Sequence, residues 1–140
     1  MTQFPHSATC VALGDRALLI EGAPGSGKST LGLALIDRGA VLIGDDGVAL
    51  EKRGNHLIAS PPPNIAGLLE VRNLGLLQFP VASDIRVALV LRIDPAAPRF
   101  IDAAERVELG GVDLPMVRVW PGGSELALKA ELALKRYGAG

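Results

Sequence analysis

The clearest candidates for chemistry lie in a glycine-rich segment that ends in a lysine and a serine, Gly-Ala-Pro-Gly-Ser-Gly-Lys-Ser over residues 22–29. Its spacing matches G-x-x-x-x-G-K-[ST], in which successive backbone N–H groups surround phosphate oxygens. Lys28 would add a positive charge at the outer phosphates, and the Ser29 hydroxyl would bind Mg²⁺. We therefore predict a nucleotide-binding site made of Gly22, Ala23, Pro24, Gly25, Ser26, Gly27, Lys28, Ser29 and Thr30.

The neighbouring residues supply the context that such a loop requires. Residues 17–20 before it have the apolar character of a buried strand, and residues 30–36 after it have the apolar density of a packed helix. That helix would present its first N–H groups and the positive end of its dipole to the phosphates. The alternative, a glycine-rich turn that binds nothing, is disfavoured because all eight positions and both flanks fit the motif.

Two adjacent carboxylates, Asp45 and Asp46, follow the next predicted strand at 40–43. A strand, helix and strand unit of this length crosses over right-handed, so its two strands should be parallel neighbours or near neighbours. Both aspartates then emerge at the sheet edge that carries the glycine-rich loop, where phosphate-transfer enzymes hold Mg²⁺ and a base. One would orient or deprotonate an attacking hydroxyl and the other would face the metal; the alternative is a polar turn.

Length predicts one domain over residues 1–140, and its alternating strand and helix patterns make it α/β. The core should be aliphatic, because 49% of the residues are hydrophobic and only 4% are aromatic. The formal net charge of −1 gives no electrostatic reason to expect nucleic acid. We expect no membrane span and no signal peptide, since no apolar run is long enough and residues 1–10 lack the required regions. The single cysteine, Cys10, fits a reducing cytoplasm and should be a buried, inert thiol.

Residue patterning predicts a mixed sheet packed by two helices, one after the glycine-rich loop and one at the C-terminus. Hairpins are expected over 8–21 and 48–59, and the first helix should end near residue 38, before Gly39. A long strand is expected at 85–93. The residues before position 8 are predicted to be a short polar segment without regular structure. Residues 64–77, which follow three prolines, are predicted to form a loop with a short helical turn.

The C-terminal third contains strand patterns at 107–109 and 112–119, with Pro115 indicating an edge or a bulge. Ser124 is expected to cap a final helix over 125–137, which Gly138 ends. Helical spacing predicts a core-packing stripe, widened by Leu128 and Leu132, that consists of Leu126, Ala130, Ala133, Leu134 and Tyr137.

Three segments together resemble the catalytic domain of the HPr kinase/phosphorylase family. The first is the glycine-rich loop with its helix, continuing through Asp45 and Asp46. The second, Leu-Glu-Val-Arg-Asn-Leu-Gly at 69–75, is similar to the family signature Leu-Glu-Ile-Arg-Gly-Leu-Gly. The third combines residues 105–107, 112–115 and 119–122. The resemblance covers residues 6–135 and implies an HPr kinase/PEP carboxykinase-like P-loop fold, in a short form that lacks the usual N-terminal domain.

The resemblance also implies a bifunctional enzyme. It would phosphorylate a serine of an HPr-type phosphocarrier protein, with ATP or pyrophosphate as donor and with Mg²⁺, and would reverse this step by phosphorolysis. Such an enzyme regulates carbohydrate metabolism through the phosphotransferase system, is cytoplasmic and assembles as a homo-oligomer.

Site roles follow from the resemblance position by position. Lys28 matches the catalytic lysine, and Ser29 and Glu70 match Mg²⁺ ligands. Asp46 matches the residue that accepts the proton in phosphorylation and donates it in the reverse reaction, but the sequence does not separate it from Asp45.

Two further site residues rest on the resemblance alone. His6 matches an active-site histidine before the first strand, and Arg106 matches an arginine near the transferred phosphoryl group. The loop at 119–124 matches a loop used in phosphorolysis. By composition, Glu70 and Arg72 fit an ordinary surface ion pair equally well. Asn73 stands where the family has glycine, and asparagine tolerates positive φ.

Two other functions stay open. A small-molecule P-loop kinase usually needs a lid and an acceptor domain, for which this chain has little room. A non-catalytic nucleotide-sensing module needs no base, so the carboxylates of Asp45, Asp46 and Glu70 disfavour it. A GTPase is disfavoured because the sequence contains no Asn-Lys-x-Asp segment.

Overall fold

Strands make up most of the regular structure in the computed structural model, which describes residues 2–140; Met1 of the predicted domain lies outside that range. Within it the chain forms eleven strands and two helices. Neither of these helices has the length and apolarity needed to cross a membrane. The elements are β1 Gln3–His6, β2 Thr9–Leu13, β3 Arg16–Gly22, α1 Lys28–Asp37, β4 Val41–Gly44, β5 Val48–Arg53, β6 His56–Ser60, β7 Leu68–Val71, β8 Gly75–Gln78, β9 Ile85–Ile93, β10 Glu105–Leu109, β11 Val112–Val119 and α2 Leu126–Tyr137.

Nine strands form one mixed sheet in the order β1-β5-β6-β9-β3-β2-β4, with β11 beside β9 and β10 beside β11. Strand β9 is its centre. β3 pairs with β9 in parallel along one edge, while β6 and β11 pair with opposite ends of the other edge. β7 and β8 form a separate two-stranded sheet. The fold is therefore mixed α/β, as predicted.

The large sheet is curled, because the connection between β1 and β2 is short. Five strand-to-strand steps separate these strands in the sheet order, which would be about 24 Å in a flat sheet. Only Ser7 and Ala8 connect His6 to Thr9, and three peptide steps span at most about 11 Å. The two parts of the sheet must therefore bend towards each other, which brings β1 close to the end of β3.

Most of the predicted elements are confirmed. The β2–β3 and β5–β6 hairpins are antiparallel, and β9 has the predicted bounds. β3 and β4 both run antiparallel to the intervening β2, so they are parallel near neighbours, as expected. The stripe on α2 is largely buried, whereas Leu128 and Leu132 are 45% and 53% exposed and do not widen it.

Three local predictions are wrong. Residues 64–77 contain the β7–β8 hairpin rather than a helical turn, because Asn73 adopts a φ of 74° that closes a tight turn between two short strands. The polar lead forms β1, which pairs with β5 through main-chain hydrogen bonds and so needs no apolar pattern. Ser124 does not cap α2; Glu125 is the N-cap residue and makes no side-chain capping hydrogen bond.

The core lies on both faces of the large sheet. α1 and α2 cover the face to which Leu18 and Ile20 of β3 point, while Leu19 points to the opposite layer, which contains Cys10. This alternation is the normal side-chain geometry of a strand. Burial raises the pKa of the Cys10 thiol, which has no exposed surface. The predicted burial of the cysteine is thus confirmed, and the raised pKa agrees with an inert thiol.

Candidate active site

The glycine-rich loop between β3 and α1 forms one wall of a cleft of about 670 Å³. Gly25 and Gly27 have φ angles of 78° and 103°, in the left-handed region that favours glycine. A Cβ atom built at either position would meet no atom within 4 Å. The backbone is therefore open here, with room for an anion beside its N–H groups.

The Ser26 hydroxyl is an unpaired polar group within this loop. Its oxygen is buried and has no hydrogen-bond partner among residues 2–140. Buried hydroxyls are nearly always hydrogen-bonded, and an unpaired one costs about 1–3 kcal/mol. A bound anion or water is the ordinary partner for such a group, so the loop fits a phosphate ligand.

The Lys28 side chain folds back over the loop. Its Nζ donates to the carbonyl oxygens of Gly22 and Ala23, at 3.0 and 3.3 Å. A lysine ammonium has three donors, so one remains for a ligand. These two carbonyls therefore hold the Lys28 ammonium beside the cleft, where its third N–H can donate to one further acceptor.

Asp45 links three elements through its carboxylate. Its Oδ1 accepts hydrogen bonds from the Ser29 hydroxyl at 2.6 Å and from the Thr9 hydroxyl at 3.0 Å. Its Oδ2 accepts from the backbone N–H of Glu70 at 3.3 Å. Asp45 thus fastens the start of α1, the start of β2 and strand β7 to the end of β4.

Thr9 is a member of this network that was not predicted. It has no exposed surface, and its methyl group lies against α1, where a Cβ at Gly32 would come within 2.9 Å of Thr9 Cγ2. The available signal was a hydroxyl in the otherwise apolar run of residues 8–13. Its partner could not be read from the sequence, because Thr9 and Asp45 are 36 positions apart.

Asp46 differs from its neighbour in exposure, hydrogen bonding and backbone conformation. Its side chain is exposed, and it accepts no hydrogen bond from another residue of the range 2–140. Its φ of 57° is unusual for a residue other than glycine, and such strain clusters at functional sites. Asp45 is therefore the anchored carboxylate of the pair, and Asp46 is the free one.

The β7–β8 hairpin forms the opposite wall of the cleft. Glu70 and Arg72 both line the cleft, and no ion pair joins them within the described part of the chain. The surface ion pair considered from composition is therefore not formed. Five of the residues predicted as catalytic or metal-binding line this cleft, namely Lys28, Ser29, Asp45, Asp46 and Glu70.

The cleft contains oxygen atoms that can bind a metal ion, but not a complete set of protein ligands. Among residues 2–140, no three His, Cys, Asp or Glu side chains are grouped to hold a metal ion. Mg²⁺ seldom needs such a cage, since it binds one or two carboxylates together with the phosphates of a substrate. Because Ser29 donates its proton to Asp45, the lone pairs of its hydroxyl stay free for a cation. The residues present therefore fit Mg²⁺ held jointly with a phosphate ligand.

His6 lines a second cavity of about 500 Å³, whose wall includes Gly22 and Ala23 of the glycine-rich loop. Its Nε2 is 2.8 Å from Glu21 Oε2, and Arg92 Nη2 donates to Glu21 Oε1 at 2.8 Å. The hydrogen bond with His6, followed by that with Arg92, lowers the pKa of Glu21, although partial burial opposes this shift. Sequence reasoning missed Glu21 and Arg92; charged residues at the ends of apolar strands were the available signal.

Arg106 lies away from both cavities. It is on β10, it is 58% exposed, and it donates to Asp113 Oδ2 at 2.8 Å. The loop at 119–124 also lies outside the two cavities, and Trp120 Nε1 donates to the carbonyl oxygen of Ala97 at 2.7 Å. A single chain therefore does not bring Arg106 or this loop to the cleft.

Comparison with known proteins identifies relatives of this chain. Residues 2–85 match the family model described as the HPr Serine kinase C-terminal domain. The HPr kinase/phosphorylase of Cupriavidus pinatubonensis is 34% identical over 131 residues, which cover 84% of this chain and 41% of that protein. The HPr kinase/phosphorylase of Nitrosomonas europaea is 30% identical over 136 residues, covering 86% and 42%. The chain thus spans about two fifths of the length of these relatives.

A solved structure shares the fold. The Hpr(Ser) kinase/phosphatase from Coxiella burnetii superimposes with a TM-score of 0.82 at 26% sequence identity. The match covers 94% of this chain and 88% of that one. The curled mixed sheet and both helices are therefore shared with a protein of that description.

Proposed function

The chain belongs to the HPr serine kinase C-terminal domain family, and from this premise we propose that residues 1–140 form a catalytic domain that phosphorylates a serine of an HPr-type phosphocarrier protein. The observation that carries the proposal is the 2.6 Å hydrogen bond from Ser29 to Asp45. It ties the glycine-rich loop to the carboxylate pair at one cleft. Phosphoryl transfer to a hydroxyl needs a phosphate site and a base side by side.

The phosphoryl donor, ATP or pyrophosphate, would bind at the glycine-rich loop acting as a P-loop. The open backbone at Gly25 and Gly27 and the unpaired Ser26 hydroxyl support this assignment. Lys28 would direct its remaining N–H donor to an outer phosphate. The loop residues from Gly22 to Thr30 would supply the rest of the donor site.

Mg²⁺ would be held by Ser29 and Glu70 together with the phosphates of the donor. When bound, it would neutralise the charge that develops on those phosphates. Asp45 would keep the Ser29 oxygen in place by accepting a hydrogen bond from the Ser29 hydroxyl. The hydrogen bond that Asp45 accepts from the backbone N–H of Glu70 would hold β7 at a fixed distance from the glycine-rich loop.

Asp46 would act as the base, because it is the carboxylate of the pair that accepts no hydrogen bond from another described residue. It would take the proton of the acceptor serine as that oxygen forms a bond to the γ-phosphorus of ATP. The bond from this phosphorus to the bridging oxygen breaks, and ADP leaves with the electron pair. The products are phosphoserine on HPr and a protonated Asp46.

The reverse reaction would be phosphorolysis. An oxygen of inorganic phosphate would attack the phosphorus of the phosphoserine, and the serine oxygen would leave. Asp46 would return the proton to that oxygen, as microscopic reversibility requires. The products are pyrophosphate and free serine, so pyrophosphate can also serve as the donor in the forward direction.

His6 is proposed as an active-site residue that acts from the second cavity, next to Gly22 and Ala23. Arg106 pairs with Asp113 on β10, so no step of the reaction within one chain is assigned to it. In the cell the proposed activity would regulate carbohydrate use through the phosphotransferase system, in the cytoplasm and in a homo-oligomer.

The test is transfer of labelled γ-phosphate from ATP to purified HPr in the presence of Mg²⁺. The wild-type chain should label a serine of HPr, and Asp46→Asn should abolish labelling while retaining ATP binding. Asp102→Asn is the matched control, since Asp102 is an exposed aspartate outside the cleft, and it should label HPr normally.

The outcomes separate the other two functions. ATP binding without labelling of HPr would overturn the proposed acceptor. Transfer of the γ-phosphoryl group to a small hydroxyl compound, abolished by Asp46→Asn, would then indicate a small-molecule kinase. ATP binding with no chemistry, unchanged in Asp46→Asn, would indicate a nucleotide sensor.

A further inference from the structure

Three groups on three different strands meet at the second cavity. Glu21 of β3 and Arg92 of β9 are direct partners in the parallel β3–β9 register. Arg92 donates to Glu21 Oε1 through Nη2 at 2.8 Å and through Nε at 3.3 Å. The other carboxylate oxygen, Oε2, lies 2.8 Å from Nε2 of His6 on β1. Glu21 therefore gives one oxygen to each neighbour.

The chemistry of this arrangement determines which nitrogen of His6 carries a proton. Both neighbours lower the pKa of Glu21, so at neutral pH it is a carboxylate and can only accept hydrogen bonds. The 2.8 Å contact then requires a proton on Nε2, which donates to Oε2. Nδ1 of the same ring makes no hydrogen bond within residues 2–140. It is the ring nitrogen left for another partner.

The contacts of Glu21 also hold the His6 ring in place. His6 is 23% exposed and Glu21 is 16% exposed, so this hydrogen bond is partly shielded from water. Arg92 occupies Oε1 and so prevents the carboxylate from rotating away. The cavity that His6 lines shares Gly22 and Ala23 with the loop whose carbonyls hold Lys28.

We propose that Glu21, fixed by Arg92, is a positioning residue that holds His6 with Nε2–H hydrogen-bonded and Nδ1 available to the reacting groups beside the glycine-rich loop. The role of His6 in phosphoryl transfer rests on the proposed function. The position and protonation of its ring rest on the contacts of Glu21, so the two can be tested separately.

The first test is long-range ¹H–¹⁵N NMR of the uniformly labelled chain. The sequence has two histidines, and His56, exposed in the β5–β6 turn region, is an internal reference. Neutral His6 should carry its proton on Nε2, with a resonance that exchanges with water more slowly than that of His56. Both tautomers in the ratio found for His56 would overturn the proposal, and so would a proton on Nδ1.

The second test uses Glu21→Gln, which keeps the side-chain shape. Glutamine replaces one carboxylate oxygen by an NH₂ donor, so it cannot present an acceptor oxygen at both of the positions that face His6 and Arg92. The slow exchange of the Nε2 proton should be lost, and kcat for HPr labelling should fall about tenfold or more because an active-site group loses its orientation. The dissociation constant for ATP should not change. The control Glu108→Gln alters an exposed carboxylate on β10 and should behave as wild type.

Together the two tests distinguish a failure of the proposed function from a failure of the positioning role of Glu21. A wild-type chain that shows the His6 hydrogen bond but labels no HPr would overturn the proposed function and leave the positioning of the ring established. A wild-type chain that labels HPr, with kcat unchanged in Glu21→Gln, would overturn the positioning role and leave the function intact.

Discussion

Thr9 donates its hydroxyl to Asp45 at 3.0 Å, on the same carboxylate oxygen that accepts from Ser29. The threonine has no exposed surface, and its methyl group occupies the space beside Gly32 of α1. One side chain therefore touches both the helix that follows the glycine-rich loop and the carboxylate that faces it. This contact determines how far apart the two halves of the candidate site lie.

Thr9→Val should weaken the site more than Thr9→Ser. Valine keeps the volume but removes the donor, so the free energy of unfolding should fall by about 1–3 kcal/mol. The metal concentration that half-saturates MgATP binding should also rise, because Asp45 loses one of the groups that orient it. Serine keeps the donor and should leave metal dependence close to wild type. Denaturant unfolding and calorimetry measure the two effects; equal metal dependence in both variants would contradict a role for the hydroxyl.

Gly32→Ala should destabilise the protein, against the usual trend. Alanine inside a helix is normally favoured over glycine by about 1 kcal/mol. Here its Cβ would lie 2.9 Å from Thr9 Cγ2, in a fully packed region, and overpacking typically costs about 1–3 kcal/mol. Combining Gly32→Ala with Thr9→Ser removes the methyl group that collides and should recover stability. Additive effects in the denaturant-unfolding cycle would show that the two residues are not coupled.

Lys28→Met should raise the dissociation constant of MgATP about tenfold or more. A charged hydrogen bond contributes about 1.5–3 kcal/mol, and 1.4 kcal/mol corresponds to a factor of ten. Lys135→Met, on the exposed side of α2, is the control that changes the net charge equally. Titration calorimetry measures both, and equal affinities would remove Lys28 from the donor site.

Glu21→Gln should reduce the free energy of unfolding at neutral pH, and this reduction should shrink in acid. The His6 hydrogen bond, followed by Arg92, lowers the pKa of folded Glu21 below its ordinary value of 4.5. A carboxylate with a lowered folded pKa stabilises the protein above its unfolded pKa. That stability is lost as the pH falls from about 4.5 through the folded value. Urea unfolding at pH 7 and pH 3 would show the trend; a constant difference would contradict it.

Local sequence was sufficient to predict the glycine-rich loop and the position of the aspartate pair. Both depend on spacing within one strand, one turn and one helix, which are short-range features. The sequence could not separate Asp45 from Asp46, because adjacent carboxylates have the same chemistry. Their difference arises from the hydrogen bonds that Asp45 accepts from Thr9, Ser29 and the backbone of Glu70, which belong to three other elements.

The missed residues share a physical reason. Glu21 and Arg92, 71 positions apart in the sequence, meet only because β3 and β9 pair in parallel. Strand register over such a separation leaves no periodic signal. The β7–β8 hairpin was missed for another reason: Asn73 closes its turn with φ of 74°, which asparagine permits but does not require.

The sheet order also has a consequence for synthesis on the ribosome. β3 leads into the glycine-rich loop and can pair early with β2, its neighbour in a hairpin. Its other partner, β9, begins at Ile85, more than sixty residues after β3 ends at Gly22. During translation one edge of β3 therefore stays unpaired until the residues between β3 and β9 have been synthesised. Vectorial folding should complete the region around the glycine-rich loop late, after β9 has left the exit tunnel, and pairings of such high contact order form slowly.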